Sequence, residues 1–303
     1  MTTAKTTTAA TATAATATAA TTILDRAATS RTVDIGYPLH YHEAGEGPPL
    51  VLLHGAGPGV SGWSNFHGNL GALAGQFRVL VVDLPGFGGS GKPDFDRPFP
   101  QVAADAVARL LDGLGIARAH LLGNSMGAFV AVELALARPE LVDRLVLMGF
   151  GGVAPNVLAP LPSEGGRRAR EFTSAPSRPA LLAWLAAMVE RHDVLTDELV
   201  EERWRNATAP GAVEQLAAVR ASMAGGDVPR WALIGRVRRP VLLLWGRDDR
   251  MVPWEHALLP LRQLPDVELR VLSGCGHWVQ VERKAEFERL VCEFLTRGEE
   301  TTT

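Results

Sequence analysis

Leu121-Leu122-Gly123-Asn124-Ser125-Met126-Gly127 is the stretch on which the reading of this chain turns. His120 to Leu122 end an apolar run. Met126 to Arg138 then carry apolar residues at helical spacing, with Phe129, Val130, Leu134 and Leu136. Strand, sharp turn and helix therefore follow one another. Ser125 stands on the turn between two glycines, in the pattern G-x-S-x-G. Glycines are needed there because side chains would collide with the neighbouring strand and helix. A serine on such a turn has a strained backbone and a hydroxyl that points out at the top of a sheet. The helix aims its free N–H groups and positive end at that spot, which favours a developing oxyanion. The pattern also occurs by chance in ordinary Gly-rich turns, so the rest of the chain must decide.

Working outward, apolar runs alternate with helical patterns. Arg31 to Ile35 and Leu39 to His42 read as strands around Gly36-Tyr37-Pro38. Pro49 to His54 is a continuous apolar run that ends in Gly55-Ala56-Gly57-Pro58-Gly59, as a strand buried on both faces would. Trp63 to Leu73 predicts a helix, Phe77 to Val82 a strand, Gln101 to Leu114 a helix and Leu141 to Met148 a strand. This rhythm calls for a mostly parallel sheet flanked by helices. It stops at Gly152. From there to Val237 only helical patterns occur, over Ala180 to Arg191, Thr196 to Asn206 and Ala212 to Ala224. Strand patterns resume at Pro240 to Gly246 and Val267 to Leu272, and Lys284 to Thr296 closes as a helix. The expected organisation is a tail at 1–22, an α/β core over 23–151 and 238–298, and a helical lid at 152–237. Ligands bind at the carboxyl edge of such sheets, beneath the lid.

Composition narrows the function. Of 303 residues, 47% are hydrophobic and 21% charged, which suits one globular domain with an inserted subdomain. A net charge of −3 without a basic block argues against nucleic acid and anionic membrane as partners. Cys275 and Cys292 offer neither a disulfide framework nor a C-x-x-C pair, so a reducing cytoplasm is expected. No apolar run approaches the length of a membrane span. Met1 to Thr22 is almost wholly Thr and Ala with Lys5 as its only charged side chain, which predicts disorder and makes a poor signal peptide. Two glycine-rich loops are decoys. Gly55 to Gly59 lacks G-x-G-x-x-G spacing, and Gly86 to Lys92 is followed by Pro93 where a phosphate-binding loop needs a hydroxyl.

A serine hydroxyl needs a base, and the base needs an orienting acid. Among eight histidines, His277 lies in a loop directly after the last strand, where an imidazole can reach over the strand ends; His192 and His256 fall in helical or helix-starting stretches. The acid candidates are Asp248 and Asp249, just past Trp245-Gly246. The order Ser125, Asp249, His277 is the one expected of an α/β-hydrolase. The amides of Met126 and Ala56 are the expected oxyanion donors, worth a few kcal/mol together.

At this point the chain resembles the meta-cleavage product hydrolases, which cut C–C bonds in aromatic and steroid ring degradation. The resemblance rests on His54 to Gly59 followed by Trp63-Ser64-Asn65, on Gly123 to Gly127, and on Ala159-Pro160-Leu161-Pro162 after Gly151-Gly152. Glu202-Arg203-Trp204, Gly246 to Arg250 and Gly274-Cys275-Gly276-His277-Trp278 complete it, over roughly Val33 to Leu295. It implies 2-hydroxy-6-oxo-hexa-2,4-dienoate substrates, with a carboxylic acid and a 2-hydroxypenta-2,4-dienoate as products. It also implies Arg203 as the carboxylate anchor, polar contacts from Asn65 and Asn124, and Trp278 as a pocket wall. From residues alone, Arg203 reads as a surface arginine beside Glu201 and Glu202, and Cys275 as a packing residue. Two departures stand out. Ala56 occupies a position where many relatives have glycine, and Met188 and Met251 fall where aromatic-substrate members carry phenylalanine. Methionine adapts to irregular apolar shapes, so the 6-substituent stays open: alkyl, aryl or larger. No metal or organic cofactor is implied, and the expected assembly is a homo-oligomer, dimer or higher. A serine esterase or lactonase and a non-catalytic ligand receptor are the alternatives. An epoxide hydrolase or dehalogenase would need Asp at position 125.

Overall fold

The computed structural model describes residues 24–151, 163–223 and 230–297. A one-turn helix α1 (Arg26–Thr29) leads into strands β1 (Ser30–Asp34), β2 (Pro38–Ala44) and β3 (Pro49–Leu53). Helix α2 (Gly62–Leu73), strand β4 (Arg78–Val82), helix α3 (Phe99–Gly113), strand β5 (Ala119–Asn124), helix α4 (Met126–Ala137) and strand β6 (Val142–Met148) follow in alternation. Between β6 and the next strand lie α5 (Glu164–Ser174), α6 (Arg178–Met188), α7 (Asp197–Ala207), α8 (Ala212–Met223) and the single turn α9 (Arg230–Leu233). No strand occurs there among the described residues. The chain closes with β7 (Val241–Gly246), α10 (Leu258–Gln263), β8 (Val267–Leu272), α11 (Val279–Glu282) and α12 (Lys284–Leu295).

The eight strands form one sheet in the order β1-β2-β4-β3-β5-β6-β7-β8. β1 and β2 pair antiparallel at one edge, and every pairing from β4 to β8 is parallel. The chain runs outward from β3 to β4, then crosses back to place β5 on the other side of β3. Such a reversal opens a crevice at the carboxyl ends of the two strands. The loop after β3 and the turn after β5 meet there.

Alternation along β3 explains the layers. Val51 and Leu53 join the apolar layer built by α3 and α4 on one face, while Leu50 and Leu52 join Phe66 and Leu70 of α2 and Phe287 and Val291 of α12 on the other. Both faces are covered, so β5 and β7 are buried at every residue and read as unbroken apolar runs. Each leucine or valine removed from water contributes about 1.5–3 kcal/mol. A third apolar cluster, with Phe172, Leu181, Trp184, Leu185, Met188 and Trp278, lies under the inserted helices.

Element boundaries shift from expectation where long-range contacts act. The helix expected over Ala180 to Arg191 ends at Met188, and Val189 is extended, because residues 186–191 bond to loops far away in sequence. The strand expected from Leu141 begins at Val142, since Pro139–Leu141 forms a short 3-10 turn. Ser61 caps α2 through a reciprocal pair of bonds with Ser64, which starts that helix at Gly62 rather than Trp63. The phosphate-loop decoy is a turn closed by a bond from Gly86 N to Gly91 O (2.7 Å). Met1 to Thr22, Gly152, the Ala159 to Pro162 stretch and Ala224 lie outside the described residues. No helix among the described residues is long and apolar enough to cross a membrane.

Close backbone packing at the turn after β5 generates a stability prediction. A Cβ added at Gly123 would lie 2.4 Å from Gly127 O and 2.5 Å from Ala128 N; at Gly127 it would lie 2.0 Å from Leu53 O. These neighbours are backbone atoms and cannot swing aside. Gly123→Ala should therefore cost about 1–3 kcal/mol or more, read as a fall in Tm of at least about 2 °C in thermal unfolding. An unchanged Tm would mean that the strand and helix are not in this contact.

Candidate active site

Ser125 is the one non-glycine residue with positive φ among the described residues, at φ 53° and ψ −113°. Such a conformation persists only where the surroundings impose it. Here the Ser125 amide donates to Met148 O of β6 (2.7 Å), and α4 begins at the next residue. The β3 loop presses from the other side: a Cβ at Gly55 would lie 3.2 Å from Ser125 Cβ and 3.2 Å from Asn124 Oδ1. His54 fixes this loop. Leu84 N donates to its Nε2 (3.0 Å), so its proton sits on Nδ1 and bonds Gly55 O (2.8 Å). Burial holds the His54 imidazole below its ordinary pKa, which keeps that neutral tautomer. Neither Ala56 N nor Met126 N donates to a protein acceptor among the described residues. Both amides flank Ser125 in sequence or packing and are available to an oxyanion.

His277 and Asp249 form a buried pair, with Nδ1 and Oδ2 at 2.7 Å. The other carboxylate oxygen, Oδ1, accepts from Met251 N (2.8 Å) and Val252 N (2.9 Å). With Nδ1 engaged, Nε2 is the nitrogen left to exchange protons. Asp248 is not brought to the imidazole. Its carboxylate faces outward, bonding Arg247 and the amide of Gly274 (2.8 Å). Gly149, unremarked in the sequence, makes room for the pair: its φ is +52°, and a Cβ there would lie 2.7 Å from His277 Cε1 and 2.8 Å from Nδ1. The imidazole thus lies over the residue that follows Met148, whose carbonyl holds the Ser125 amide.

The end of α6 braces this pair through its main chain. Met188 O accepts from His277 N (2.7 Å), and Ala186 O and Val189 O accept from Arg250 Nη2 (2.6 and 2.7 Å). Glu282 completes the brace. Its Oε2 accepts from Glu190 N (2.6 Å) and Arg191 N (2.9 Å), and its Oε1 from Gly276 N (2.9 Å). Burial raises the Glu282 carboxyl pKa, and the three N–H bonds oppose that. The only signal for it in the sequence is a carboxylate one helical turn beyond His277. Cys275 beside it is fully buried, and burial pushes its thiol up, as befits a packing residue.

Arg203 of α7 is 1% exposed. Its guanidinium lies 5.3 Å from the ring centres of both Trp184 and Trp278, so two indoles flank it. Nη1 donates weakly to Ser64 Oγ (3.4 Å), Nε has no protein partner, and no carboxylate pairs with it among the described residues. Burial lowers its pKa to about 9, which leaves it a cation at neutral pH. More buried polar atoms lack protein partners: Trp184 Nε1 beside it, both side-chain atoms of Asn65 next to Ser64, Gln280 Oε1, and both side-chain atoms of Asn124 next to Ser125. Gln280 Nε2 donates to Asn65 O (3.4 Å), and Trp184 covers Gly57, where a Cβ would lie 2.4 Å from its ring. A Cβ at Gly59 would lie 2.1 Å from Arg203 O, so α7 docks on the same loop. Met188 is buried at the end of α6, and Met251 packs on α5, its Sδ 1.6 Å from where a Cβ at Gly165 would fall. Trp184, Glu282, Gly149 and Gln280 are the neighbours that spacing along the chain did not single out.

The brace is testable by itself. Glu282→Gln puts an NH₂ group against one of the three N–H donors. Losing bonds to a buried charge should cost about 1.5–3 kcal/mol. Amide hydrogen exchange should rise at Glu190, Arg191 and Gly276 relative to β5 and β7. Unchanged exchange at those three would mean that something else holds the segment.

Comparison with known proteins bears on the whole arrangement. Residues 48–284 match the model of the α/β-hydrolase fold family. The chain is 37% identical over 288 residues to a 2-hydroxy-6-oxo-6-phenylhexa-2,4-dienoate hydrolase of Burkholderia cepacia, covering 91% of this chain and all of that one. It is 36% identical to a 2-hydroxy-6-oxononadienedioate/2-hydroxy-6-oxononatrienedioate hydrolase of Comamonas testosteroni, over 91% of this chain and 99% of the relative. A solved 2-hydroxy-6-oxo-6-phenylhexa-2,4-dienoate hydrolase from Rhodococcus sp. superposes with a TM-score of 0.79 at 30% identity, over 88% of this chain and 99% of that one. With that likeness running nearly end to end, the chain belongs to the α/β-hydrolase fold family and, within it, to the meta-cleavage product hydrolases.

Proposed function

We propose that this protein hydrolyses the C–C bond next to the 6-ketone of a 2-hydroxy-6-oxo-hexa-2,4-dienoate, releasing a carboxylic acid and 2-hydroxypenta-2,4-dienoate. The observation that carries this reading beyond a generic serine hydrolase is Arg203. A buried cation without a carboxylate partner costs several kcal/mol. Trp184 beside it, Asn65 next to Ser64, and Asn124 next to Ser125 carry buried polar atoms without partners. A substrate carboxylate supplies what these groups lack, through parallel charge-assisted bonds. A simple ester offers nothing to them. Both cysteines are free thiols, which fits a reducing compartment.

The chemistry follows from the carbanion problem. Breaking C5–C6 leaves an electron pair on C5, which is too basic to depart unaided. Moving a proton from the C2 hydroxyl to C5 first gives a 2-ketone conjugated through C3=C4. The pair released on cleavage then spreads onto the C2 oxygen. His277, held by Asp249, is the proton carrier. Ser125, or a water it positions, adds to C6, and the amides of Ala56 and Met126 receive the charge on its oxygen. Arg203 holds the carboxylate at the far end, so that C6 lies over Ser125. Trp278 walls the pocket on the face that also covers Arg203.

Three substitutions test these roles. Ser125→Ala should lower dienoate turnover by several orders of magnitude and leave binding nearly intact. Turnover within about tenfold of the parent, a loss near 1.4 kcal/mol, would remove Ser125 from the chemistry. Asp249→Asn should be similarly damaging, because it reverses the tautomer His277 needs, while Asp248→Asn should change kcat by less than about threefold. The opposite ranking would exchange the two assignments. Arg203→Ala should depress dienoate cleavage by roughly 2–5 kcal/mol and barely alter hydrolysis of p-nitrophenyl acetate. Equal losses on both would assign Arg203 to folding. Undiminished dienoate cleavage would bring a carboxylesterase or lactonase forward.

A further inference from the structure

The relatives divide over what C6 carries: a phenyl group in one name, a chain ending in a second carboxylate in the other. The inventory of charge in this chain bears on that division. Among the residues whose side chains are described, Arg203 is the only lysine or arginine in the buried interior. It serves the first carboxylate, and α7 and the β3 loop hold it at that end.

Away from α7 and the β3 loop, His277 and Asp249 lie over Gly149, and the turn after Asp249 packs on α5 through Met251 and Gly165. Met188 and Met251 sit on this side through their main chains, which bond His277 and Asp249, and their side chains belong to the apolar cluster that extends to Phe172 and to the two indoles beside Arg203. Val252 closes on Gly151, where a Cβ would meet its methyl at 3.3 Å. Two arginines are near enough to be considered, and both are engaged. Arg250 bonds Ala186 O and Val189 O and pairs with Glu164 (3.5 Å). Arg220 donates to Ala169 O (3.3 Å) and Thr173 Oγ1 (3.1 Å). The charges that do stand in the interior at this end are the carboxylates of Asp249 and Glu282, which repel an anion. In the stretches outside the described residues the sequence holds one basic residue, Lys5 in the Thr/Ala stretch; 152–162 and 224–229 contain none.

We infer that the site takes a dienoate with a single carboxylate and an apolar group on C6, bounded by Met188, Met251 and Val252, and excludes a C6 chain that ends in a second carboxylate. This rests on the dienoate reading above and sharpens it. An unpaired carboxylate driven into an apolar, water-poor space is strongly disfavoured, whereas the same chain ending in a methyl gains from burial. Thioethers on unbranched side chains accommodate either an alkyl or an aryl group.

A matched pair of substrates isolates the second charge. 2-Hydroxy-6-oxonona-2,4-dienoate and 2-hydroxy-6-oxonona-2,4-dienedioate have the same chain length and differ only in whether C9 is a methyl or a carboxylate. Their cleavage by the full-length protein is followed by loss of the long-wavelength absorbance. The expected kcat/KM for the dioate is at least about 100-fold lower, carried mainly by KM, as an excluded charge requires. Comparable kcat/KM values would overturn the inference and leave the dienoate hydrolase reading standing. Cleavage of neither compound would remove both. The placement has its own arm. Met251→Lys and Met188→Lys are made in parallel, and in whichever retains cleavage of the monoacid the ratio should narrow about tenfold or more. An unchanged ratio in a cleaving variant would overturn the assignment of that residue to the C6 end.

Discussion

The backbone of Ser125 is the constraint on which the site depends. A serine at φ 53° carries a conformational cost of order 1–3 kcal/mol. It is held because every neighbour leaves no alternative. Gly123 and Gly127 admit α4 and β3 at distances no side chain allows, Gly55 admits the β3 loop, and Met148 O takes the Ser125 amide. The same closeness brings the loops after β3, β6, β7 and β8 to one edge of the sheet. The strain at one residue and the convergence of four loops are two views of the same packing.

Three of the buried charged residues, Asp249, Glu282 and Arg203, are treated differently. Asp249 has an imidazole and two amides, and Glu282 has three amides. Both are satisfied by groups of the protein itself, which offsets their desolvation. Arg203 has two aromatic faces and one weak hydroxyl bond. Indoles close to a cation stabilise it without neutralising it. The contrast separates charges that complete the scaffold from the charge that awaits a ligand.

What the sequence made legible follows from this. Strands of a doubly covered sheet must be apolar at every position, so β3, β5 and β7 stand out, and the polar residues directly after them are the ones that can face a ligand. Ser125, Asp249 and His277 are found that way. Spacing could not separate Asp248 from Asp249. The pattern of similar proteins pointed to the second, and the turn geometry gives the reason: only Asp249 can receive the Met251 and Val252 amides. Arg203 was opaque because α7 is rich in Asp and Glu, so nothing in its own periodicity marks a buried face. Gly149, Trp184 and Glu282 act on partners distant in the chain, such as Glu190 and Arg191 more than ninety residues before Glu282. The premature end of α6 has the same origin. Its last carbonyls and the amides beyond are taken by His277, Arg250 and Glu282 instead of by another helical turn.

That brace separates chemistry from selection. The contacts that hold His277 and Asp249 from Met188, Met251 and Val252 are all made by main-chain atoms. Their side chains make none of these contacts: those of Met188 and Met251 belong to the apolar cluster beneath the inserted helices, and that of Val252 packs against the main core. Replacing one apolar side chain by another of different volume alters the space offered to the C6 group, while the amide or carbonyl that supports the pair stays where it is. A helix end and a tight turn used in this way keep the catalytic pair in place while the apolar side chains vary, and the variation is bounded by packing: volume-conserving exchanges usually cost below about 1.5 kcal/mol, and overpacking about 1–3 kcal/mol. Methionine at two of these three positions suits this division of labour: it fills the space beside a fixed main chain and yields to the shape of what enters.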